Sequence, residues 1–461
     1  MRIAVQTETD ANESRVAATP ETVKTLIGLG AEFVVQSGAG RGSALDDSAY
    51  AAAGATIVPT AAEAARDADV ILRVRRPTVA EVAGAKPGAL VLAILDPYDN
   101  LPALGALART GVSAFAMELI PRITRAQSMD VLSSQANLAG YRAVIDAAAA
   151  YERAIPMMTT AAGAVPPARI FVMGVGVAGL QAIATAKRIG GVVTATDVRP
   201  ATKEQVLSLG AKFIAVEDEE FAAAETAAGY AKPMSAEYQA KQAELTASHI
   251  AKQDIVITTA LIPGRKAPVL ITAQMVASMQ RGSIIVDLAV ERGGNCELSR
   301  PGETVVTENG VKILGALNVP GRVPATASAL YARNLVNFLK PLIDKDARTL
   351  AVDWDDEIVK ATLLTRDGGT PHPGFQAPAD EPPADATPAA QAAPESAAPA
   401  VEAAPVIEPA PAAETEAAPD DDDAEASDDA APGPDETGGG AAAPGQPPAR
   451  RQKPRGRGPR R

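Results

Sequence analysis

Short apolar runs alternate with alanine-rich amphipathic stretches along most of the chain. In its first third, four apolar runs predict strands, and the stretches 20–29 and 60–68 predict helices between them. The predicted strands are 3–5, 33–36, 69–74 and 90–95. This alternation is typical of a mostly parallel sheet with helices on its faces, which places the chain in the α/β class.

A second series of apolar runs predicts another parallel sheet, with strands at 169–174, 192–197, 213–216, 254–259 and 283–289. The segment 132–151 predicts a helix that joins the two units. The apolar segment 317–342 predicts a helix that returns to the first unit, because so apolar a helix needs a surface to cover. We therefore expect two Rossmann-like α/β domains with a cleft between them, namely 1–130 plus 318–365, and 131–317.

Residues 217–251 interrupt this alternation. The segment is too long for an ordinary connection between a strand and a helix, so it either folds over the cleft or forms an extended surface loop. Length alone does not decide between these two possibilities. We predict a mobile loop around 220–245.

The segment 371–461 differs in composition from the rest. It is rich in Pro and Ala, and Phe375 is its only aromatic residue, so it cannot bury enough apolar surface and we predict a disordered tail. The tail holds 17 of 56 acidic and 7 of 43 basic residues, which leaves a nearly neutral body. Its acidic residues cluster at 420–429 and its basic residues follow 449, which favours a solubilising or tethering tail over a nucleic-acid or lipid-binding arm.

The composition also limits location and chemistry. Cys296 is the single cysteine, which excludes an intramolecular disulfide and fits a reducing compartment. His249 and His372 lie far apart in sequence and suggest no metal site. The N-terminus lacks the apolar stretch of a signal peptide, and no run approaches the ~18 apolar residues of a membrane span. We therefore expect a cytoplasmic protein with no transmembrane segment and no nucleic-acid partner.

A GxGxxG motif at 174–179 directly follows one predicted strand and precedes a predicted helix. In such a place the first glycine makes a tight turn, the second lets a pyrophosphate approach the backbone, and the third lets helix and strand pack closely. Free N–H groups at the start of the helix would then bind the phosphates. The motif alone is weak evidence, but its flanks agree with a dinucleotide site, and the expected contacts are Gly174, Gly176, Val177, Ala178 and Gly179.

Asp197 lies at the end of the next predicted strand. A carboxylate there would accept the hydroxyl groups of an adenosine ribose and would repel a 2′-phosphate. Arg199 complicates the assignment, since a nearby arginine can accept that phosphate, and Asp197 could instead cap the turn before Pro200. We favour NAD over NADP and expect Asp197, Val198 and Arg199 to line the cofactor.

Four segments carry a resemblance to the alanine dehydrogenase and transhydrogenase family. They are Asn-Glu-Ser-Arg-Val-Ala-Ala-Thr-Pro at 12–20, the segment 171–197, Val-Asp-Leu-Ala at 286–289, and Asn-Val-Pro-Gly at 318–321. The resemblance covers residues 1 to about 365 and implies bound NAD(H). The tail has no counterpart.

The dehydrogenase branch of this family uses a lysine and a histidine in the first domain to bind and protonate a keto acid. The matching positions here are Arg75 and Asp96, so that chemistry is expected to be missing. Arg15, whose counterpart meets a substrate carboxylate in the dehydrogenases, is present. A buried arginine paired with Glu13 or another carboxylate would explain it as well.

The segment 121–135 instead resembles the transhydrogenase branch. Hydride transfer between two nicotinamides needs the rings close together and water excluded, but no general acid. In that branch the nicotinamide and its ribose are surrounded by residues that match Arg122, Gln127, Asp130 and Ser133. The glutamine also reaches toward the partner's nucleotide. An ordinary helix N-terminus, with Asp130 and Ser128 as caps, would also explain these residues.

The resemblance implies two further cofactor contacts. Gly229 and Tyr230 match the tip of a mobile loop that closes over bound NAD(H), although a tyrosine in such a place is otherwise often a surface anchor. Ala260 and Leu261 match the backbone under the span from adenosine to nicotinamide, although a Pro-Gly turn alone would suit that place.

The resemblance thus implies the NAD(H)-binding subunit of a proton-translocating transhydrogenase. Such a chain would form a homodimer and exchange hydride with NADP(H) on a partner subunit. Membrane-spanning subunits would couple the transfer to proton translocation, and the chain would lie at the cytoplasmic side of the inner membrane through these partners. The alternatives are a soluble alanine dehydrogenase-like enzyme and a non-catalytic NAD-binding interaction protein.

Overall fold

The computed structural model describes residues 1–222, 224 and 235–376. Their strands are β1 (Arg2–Val5), β2 (Glu32–Gln36), β3 (Thr56–Val58), β4 (Val70–Arg75), β5 (Leu90–Ile94), β6 (Ser113–Ala116), β7 (Met158–Thr160), β8 (Gly163–Val165), β9 (Arg169–Met173), β10 (Val192–Thr196), β11 (Lys212–Phe213), β12 (Ile255–Thr258), β13 (Ile284–Asp287), β14 (Thr304–Val306), β15 (Lys312–Leu314), β16 (Ile343–Asp344), β17 (Thr349–Leu350) and β18 (Leu363–Thr365). Their α helices are α1 (Pro20–Gly28), α2 (Asp47–Ala52), α3 (Ala61–Ala65), α4 (Val79–Val82), α5 (Leu101–Ala108), α6 (Val131–Ala150), α7 (Val177–Arg188), α8 (Thr202–Ser208), α9 (Glu219–Ala222), α10 (Ala236–Ile250), α11 (Ala273–Ser278), α12 (Pro324–Leu339) and α13 (Glu357–Thr362).

The first sheet has the strand order β18-β6-β5-β4-β1-β2-β3. Its neighbouring strands are parallel except for β18 against β6. Helix α12 returns to this sheet, as its apolar sequence predicts: the Tyr331 hydroxyl donates to the Arg73 carbonyl oxygen at 2.9 Å. Leu335 and Phe338 of the same helix are buried in the core against β1, β2, β4 and β5.

The second sheet has the strand order β11-β10-β9-β12-β13-β15-β14, and it is parallel except for β14 against β15. The chain moves outward in one direction from β9 to β11 and then in the other from β12. Ligands of open α/β sheets bind at such a reversal, beyond the carboxyl ends of the strands. The loops after β9, β10 and β12 meet there. The α/β fold class with two parallel-dominated sheets is therefore confirmed.

Helix α6 joins the two halves, as the sequence pattern predicts. It packs so closely on α7 that a Cβ on Gly140 would lie 2.0 Å from the carbonyl oxygen of Ala178. On its other side, the Ser134 hydroxyl donates to the Asn334 side chain of α12 at 2.7 Å. A single helix thus contacts both the helix that covers the first sheet and the helix that begins at the glycine-rich loop.

Two predicted boundaries differ from the structure. The loop predicted around 220–245 extends too far, because Ala236–Ile250 form α10, which Ser235 caps by accepting the Tyr238 N–H at 3.1 Å. The tail predicted from 371 begins too early, because Phe375 is 7% exposed and packs edge-on against Tyr98 with ring centroids 5.0 Å apart. A composition argument does not reveal that one aromatic ring has a partner more than 250 residues away.

Replacing Gly140 with alanine should lower the free energy of unfolding by about 1–3 kcal/mol, because the added methyl group would push α6 away from α7. Gly28 provides the matched control, since it also lies in a helix but an added Cβ would meet nothing within 4 Å. Gly28→Ala should instead stabilise the chain by up to about 1 kcal/mol through its higher helix propensity. Urea unfolding measures both changes. A Gly140→Ala variant as stable as the unmodified chain would contradict the close packing.

Candidate functional site

The three glycines between β9 and α7 each have the geometry that the motif requires. Gly174 has φ +99°, and a Cβ there would lie 2.5 Å from Thr259 Oγ1. A Cβ on Gly179 would lie 1.9 Å from the Gly174 carbonyl oxygen, so this glycine lets α7 pack on the loop. A Cβ on Gly176 would meet nothing within 4 Å. That open space fits a pyrophosphate lying against the backbone.

The start of α7 adds an anion-binding end to this loop. Gly176 is the N-cap residue, and no side chain accepts a hydrogen bond from the first turn. First-turn N–H groups have no partner within a helix, and the helix dipole places partial positive charge there. Val177 is 40% exposed, so solvent reaches this turn. Residues 174–179, Val177 and Ala178 included, therefore fit the phosphates of a dinucleotide.

Asp197 lies directly beside the glycine-rich loop. Its Oδ2 accepts the Val175 N–H at 2.7 Å. Arg199 pairs with the same carboxylate, with Nε 2.9 Å from Oδ1 and Nη2 2.9 Å from Oδ2. Val198, between them in sequence, is half exposed. The structure thus places the predicted ribose-binding carboxylate next to the predicted pyrophosphate loop and pairs it with Arg199.

Asp130 is the N-cap of α6. Its Oδ1 accepts the Ser133 N–H at 2.9 Å, and its Oδ2 accepts the Ser133 hydroxyl at 2.5 Å. The interpretation of Asp130 as a helix cap is therefore correct. Ser128 does not cap: its carbonyl oxygen accepts the side-chain amides of Asn334 and Asn337. Capping fixes the Asp130 carboxylate in position, and this is compatible with a second role in contacting a ligand.

Arg122 and Gln127 lie just before α6, and both are exposed. Within residues 1–222, 224 and 235–376, neither side chain makes a hydrogen bond or an ion pair. Arg125, which lies between them in sequence, is instead paired with Asp356 at 2.6 Å and Glu357 at 3.2 Å. The structure therefore brings Asp130 and Ser133 together and leaves Arg122 and Gln127 available to a bound molecule.

Helix α6 fixes the spacing between the Asp130 cap and the glycine-rich loop. Ser133 precedes Gly140 by seven residues, about 10 Å along a helix axis at ~1.5 Å per residue. Gly140 lies against the backbone of Ala178, and Asn137 donates to Gln181 of α7 at 3.3 Å. Both predicted regions of the site are therefore carried on one closely packed pair of helices.

The turn after β12 is fixed by a residue that sequence reasoning missed. The Ala260 N–H donates to Asn295 Oδ1 at 3.0 Å, and Asn295 Nδ2 donates to the Ala260 carbonyl oxygen at 2.9 Å. Asn295 is fully buried, and its own N–H donates to Asp287 Oδ2 at 2.8 Å. Leu261, the next residue of the turn, is 52% exposed. No sequence signal pointed to Asn295, since an asparagine after two glycines also suits an ordinary turn.

Arg15 is buried, and its donors are already occupied. Its Nε and Nη2 donate to the two oxygens of Glu13 at 2.7 and 2.6 Å, and its Nη1 donates to Gln135 at 2.8 Å. Arg75 also donates to Glu13, at 2.8 Å. Burial opposes ionisation of Glu13, but the hydrogen bonds and charges of the two arginines outweigh it and lower its pKa. The alternative pairing with Glu13 is therefore correct, and this guanidinium is not presented to a substrate carboxylate.

Asp96, which matches the dehydrogenase histidine, joins the two domains instead. Arg292 of the second domain forms ion pairs with Asp96 and with Asp99, the latter at 3.1 Å. Tyr98 lies against Gly264 of the second domain, where an added Cβ would come within 2.4 Å of the Tyr98 ring. This wall of the cleft therefore serves contact between domains rather than proton donation.

Glu118 supports the backbone that carries Asp96. One of its carboxylate oxygens accepts the N–H of Leu95 at 2.9 Å and the N–H of Asp96 at 2.6 Å. Burial raises the pKa of Glu118 to about 7, and the negative charge of Asp96 adds to the rise. The charge on this carboxyl is therefore set near neutral pH.

The matching edge of the first sheet is filled by its own side chains. There the chain order reverses between β1 and β4, but Arg73 of β4 is only 1% exposed. Its guanidinium contacts Glu8 at 3.2 Å, Gln6 at 3.0 Å and Glu81 at 2.9 Å. Of the two reversal points, the one in the second sheet is the one with open space for a nucleotide.

The family resemblance is confirmed by comparison with known proteins. Residues 4–139 match the family model "Alanine dehydrogenase/PNT, N-terminal domain", and residues 143–373 match "Alanine dehydrogenase/PNT, C-terminal domain". The chain belongs to the alanine dehydrogenase/PNT family.

Within that family the chain is more similar to transhydrogenases than to alanine dehydrogenases. The first portion of NAD(P) transhydrogenase subunit alpha from Rhodospirillum rubrum is 59% identical over 380 residues, which cover 81% of this chain and 99% of that protein. A solved transhydrogenase structure from Sinorhizobium meliloti is also 59% identical, with a TM-score of 0.73 over 80% of this chain and 100% of that one. A solved L-alanine dehydrogenase is 25% identical, with a TM-score of 0.69 over 81% of this chain and 98% of that one.

Two further results concern the predicted site and the predicted location. Gly229 and Tyr230 lie outside the described residues, so the mobile-loop contact stays a prediction. Across residues 1–222, 224 and 235–376, no helix is both long enough and apolar enough to cross a membrane.

Glu118→Gln should flatten the dependence of stability on pH. The unfolded chain loses the Glu118 proton near pH 4.5, whereas the folded chain retains it until about pH 7, so folding stability falls as the pH rises between these values. A glutamine oxygen can still accept both N–H groups but carries no charge. Above pH 7 the variant should be more stable by on the order of 2 kcal/mol.

Thermal unfolding from pH 4 to pH 8 measures this difference. Glu244 is exposed on α10 and provides the control, since Glu244→Gln should leave the profile unchanged. Parallel profiles for Glu118→Gln and the unmodified chain would contradict the assignment.

Proposed function

We propose that this chain is the NAD(H)-binding subunit of a proton-translocating transhydrogenase and that it passes a hydride directly between NADH and NADP+ bound on a partner subunit. The observation that carries the proposal is the distribution of charge in the cleft. The positions of the dehydrogenase chemistry are closed by ion pairs, whereas Arg122 and Gln127 stay exposed beside the capped Asp130. The 59% identity to a transhydrogenase subunit supports the same assignment.

The residues of the second domain would bind one end of the nucleotide. Gly174, Gly176 and Gly179 would receive the pyrophosphate together with the first turn of α7, and Asp197 would accept the adenosine ribose hydroxyls. The Asn295 side chain keeps the turn at Ala260 in place beneath the molecule. When bound, NADH supplies the hydride from its nicotinamide ring.

The residues near the start of α6 would orient the other end. Asp130 and Ser133 would contact the nicotinamide and its ribose, with the Asp130 carboxylate already fixed by capping. Arg122 and Gln127 would approach from the exposed side, toward the partner's nucleotide. Orientation and exclusion of water are the only demands that the transfer makes on this chain, because no proton moves with the hydride.

An alanine dehydrogenase-like reaction is not supported by this site. That reaction requires a group to bind the keto acid carboxylate and another to donate a proton. The Arg15 guanidinium is saturated by Glu13 and Gln135, and Asp96 is paired with Arg292. No observation favours a non-catalytic NAD-binding protein over an enzyme subunit.

The partners follow from this assignment. The chain would act as a homodimer, contact an NADP(H)-binding subunit beside Arg122 and Gln127, and be linked through it to membrane-spanning subunits that translocate protons. It would then lie at the cytoplasmic side of the inner membrane. The absence of a membrane-spanning helix among the described residues is compatible with this arrangement.

Asp130→Asn should slow hydride transfer at least tenfold while changing the dissociation constant for NADH by no more than about threefold. Asparagine caps a helix as well as aspartate, so α6 should stay intact, whereas a small displacement of reacting groups can cost up to about 100-fold in rate. Gln127→Asn, which shortens an exposed side chain by one methylene group, should have the same effect. Single-turnover transfer in the presence of an NADP(H)-binding subunit gives the rate, and fluorescence titration gives the binding.

Gln274→Asn provides the control for Gln127→Asn, because Gln274 is an exposed glutamine on α11. It should alter neither quantity. An equal loss of binding and of transfer in the Asp130 and Gln127 variants would indicate general damage and would count against the proposed roles.

A further inference from the structure

The Asp197 carboxylate has no acceptor capacity left. A carboxylate has about four lone-pair positions for hydrogen bonds. Oδ1 accepts the Arg199 N–H at 2.9 Å and Arg199 Nε at 2.9 Å. Oδ2 accepts the Val175 N–H at 2.7 Å and Arg199 Nη2 at 2.9 Å. All four positions are therefore occupied by donors of this chain.

Those donors together form a site for an anion. Two are backbone N–H groups, one at the glycine-rich loop and one at the end of β10, and two belong to one face of the Arg199 guanidinium. Parallel N–H groups of a guanidinium match the oxygens of a carboxylate or a phosphate. The Arg199 side chain is 29% exposed, whereas the carboxylate that it covers is 7% exposed. The carboxylate of Asp197 thus fills an anion site that would otherwise open toward solvent.

We propose that this anion site is a latent site for the 2′-phosphate of NADP(H) and that Asp197 alone closes it. The inference rests on the proposed NAD(H) site, because it places the adenosine ribose beside Asp197. Arg199 is then a specificity residue with opposite effects in two contexts. Beside Asp197 it neutralises the carboxylate, and without Asp197 it would accept a phosphate.

The same geometry explains how one chain can exclude NADP(H) while carrying an arginine at this position. A 2′-phosphate would have to enter a site already filled by a carboxylate of the same charge. Ribose hydroxyls are neutral donors, and they need only displace the guanidinium from one or two of its bonds to Asp197. The exposed position of Arg199 permits that movement.

The test is a set of three variants titrated with NADH, NADPH and adenosine 2′-monophosphate. Asp197→Ala should bind NADPH about 10- to 100-fold more tightly than the unmodified chain, the range expected for hydrogen bonds to a charged group. Asp197→Ala combined with Arg199→Ala should lose that gain. Asp197→Ala combined with Arg188→Ala, which removes an exposed arginine at the far end of α7, should keep it.

Two outcomes would overturn the inference: no gain in NADPH binding by Asp197→Ala, or a gain that survives Arg199→Ala. Asp197→Ser provides a second version if the alanine variant unfolds, because its hydroxyl can accept one of the two backbone N–H groups. Failure of the proposed function is distinguishable, since it would appear as absent NADH binding by the unmodified chain. Binding of adenosine 2′-monophosphate by the variants tests the anion site even then.

Discussion

The close contact between helices α6 and α7 is the constraint on which the rest of the site depends. Their backbones approach so nearly that Gly140 and Gly179 both lack room for a methyl group. This contact ties the Asp130 cap, at one end of α6, to the phosphate-binding turn at the start of α7. A dinucleotide has its reactive ring at one end and its pyrophosphate in the middle, so a rigid spacing between these two points is what an orienting subunit needs.

Charge pairing distinguishes this cleft from one built for acid-base catalysis. Arg15, Arg75 and Asp96 all lie where a keto acid enzyme would place its reactive groups, and each of them is neutralised by a neighbour. The uncompensated side chains are Arg122 and Gln127, on the exposed side of α6. A site with its buried charges satisfied and its exposed polar groups free is suited to positioning two nucleotides across an interface.

Much of this architecture could be predicted from the sequence, because central strands such as β1, β4 and β9 are continuous apolar runs and the glycine motif has strand and helix flanks. The three- and four-residue strands β3, β6, β14 and β15 were not predicted, since they are too short to show a period. Asn295 and the Arg199–Asp197 pair could not be predicted either. Their roles arise from contacts that only the folded chain brings together.

The most direct test of the central claim is nucleotide binding and hydride exchange by the purified chain. The chain is titrated with NADH and NADPH, and an NADP(H)-binding subunit of a transhydrogenase is then added. The account predicts tight binding of NADH, no binding of NADPH, and hydride exchange only after the partner is added. Oxidation of NADH by the chain alone in the presence of pyruvate and ammonia would contradict it.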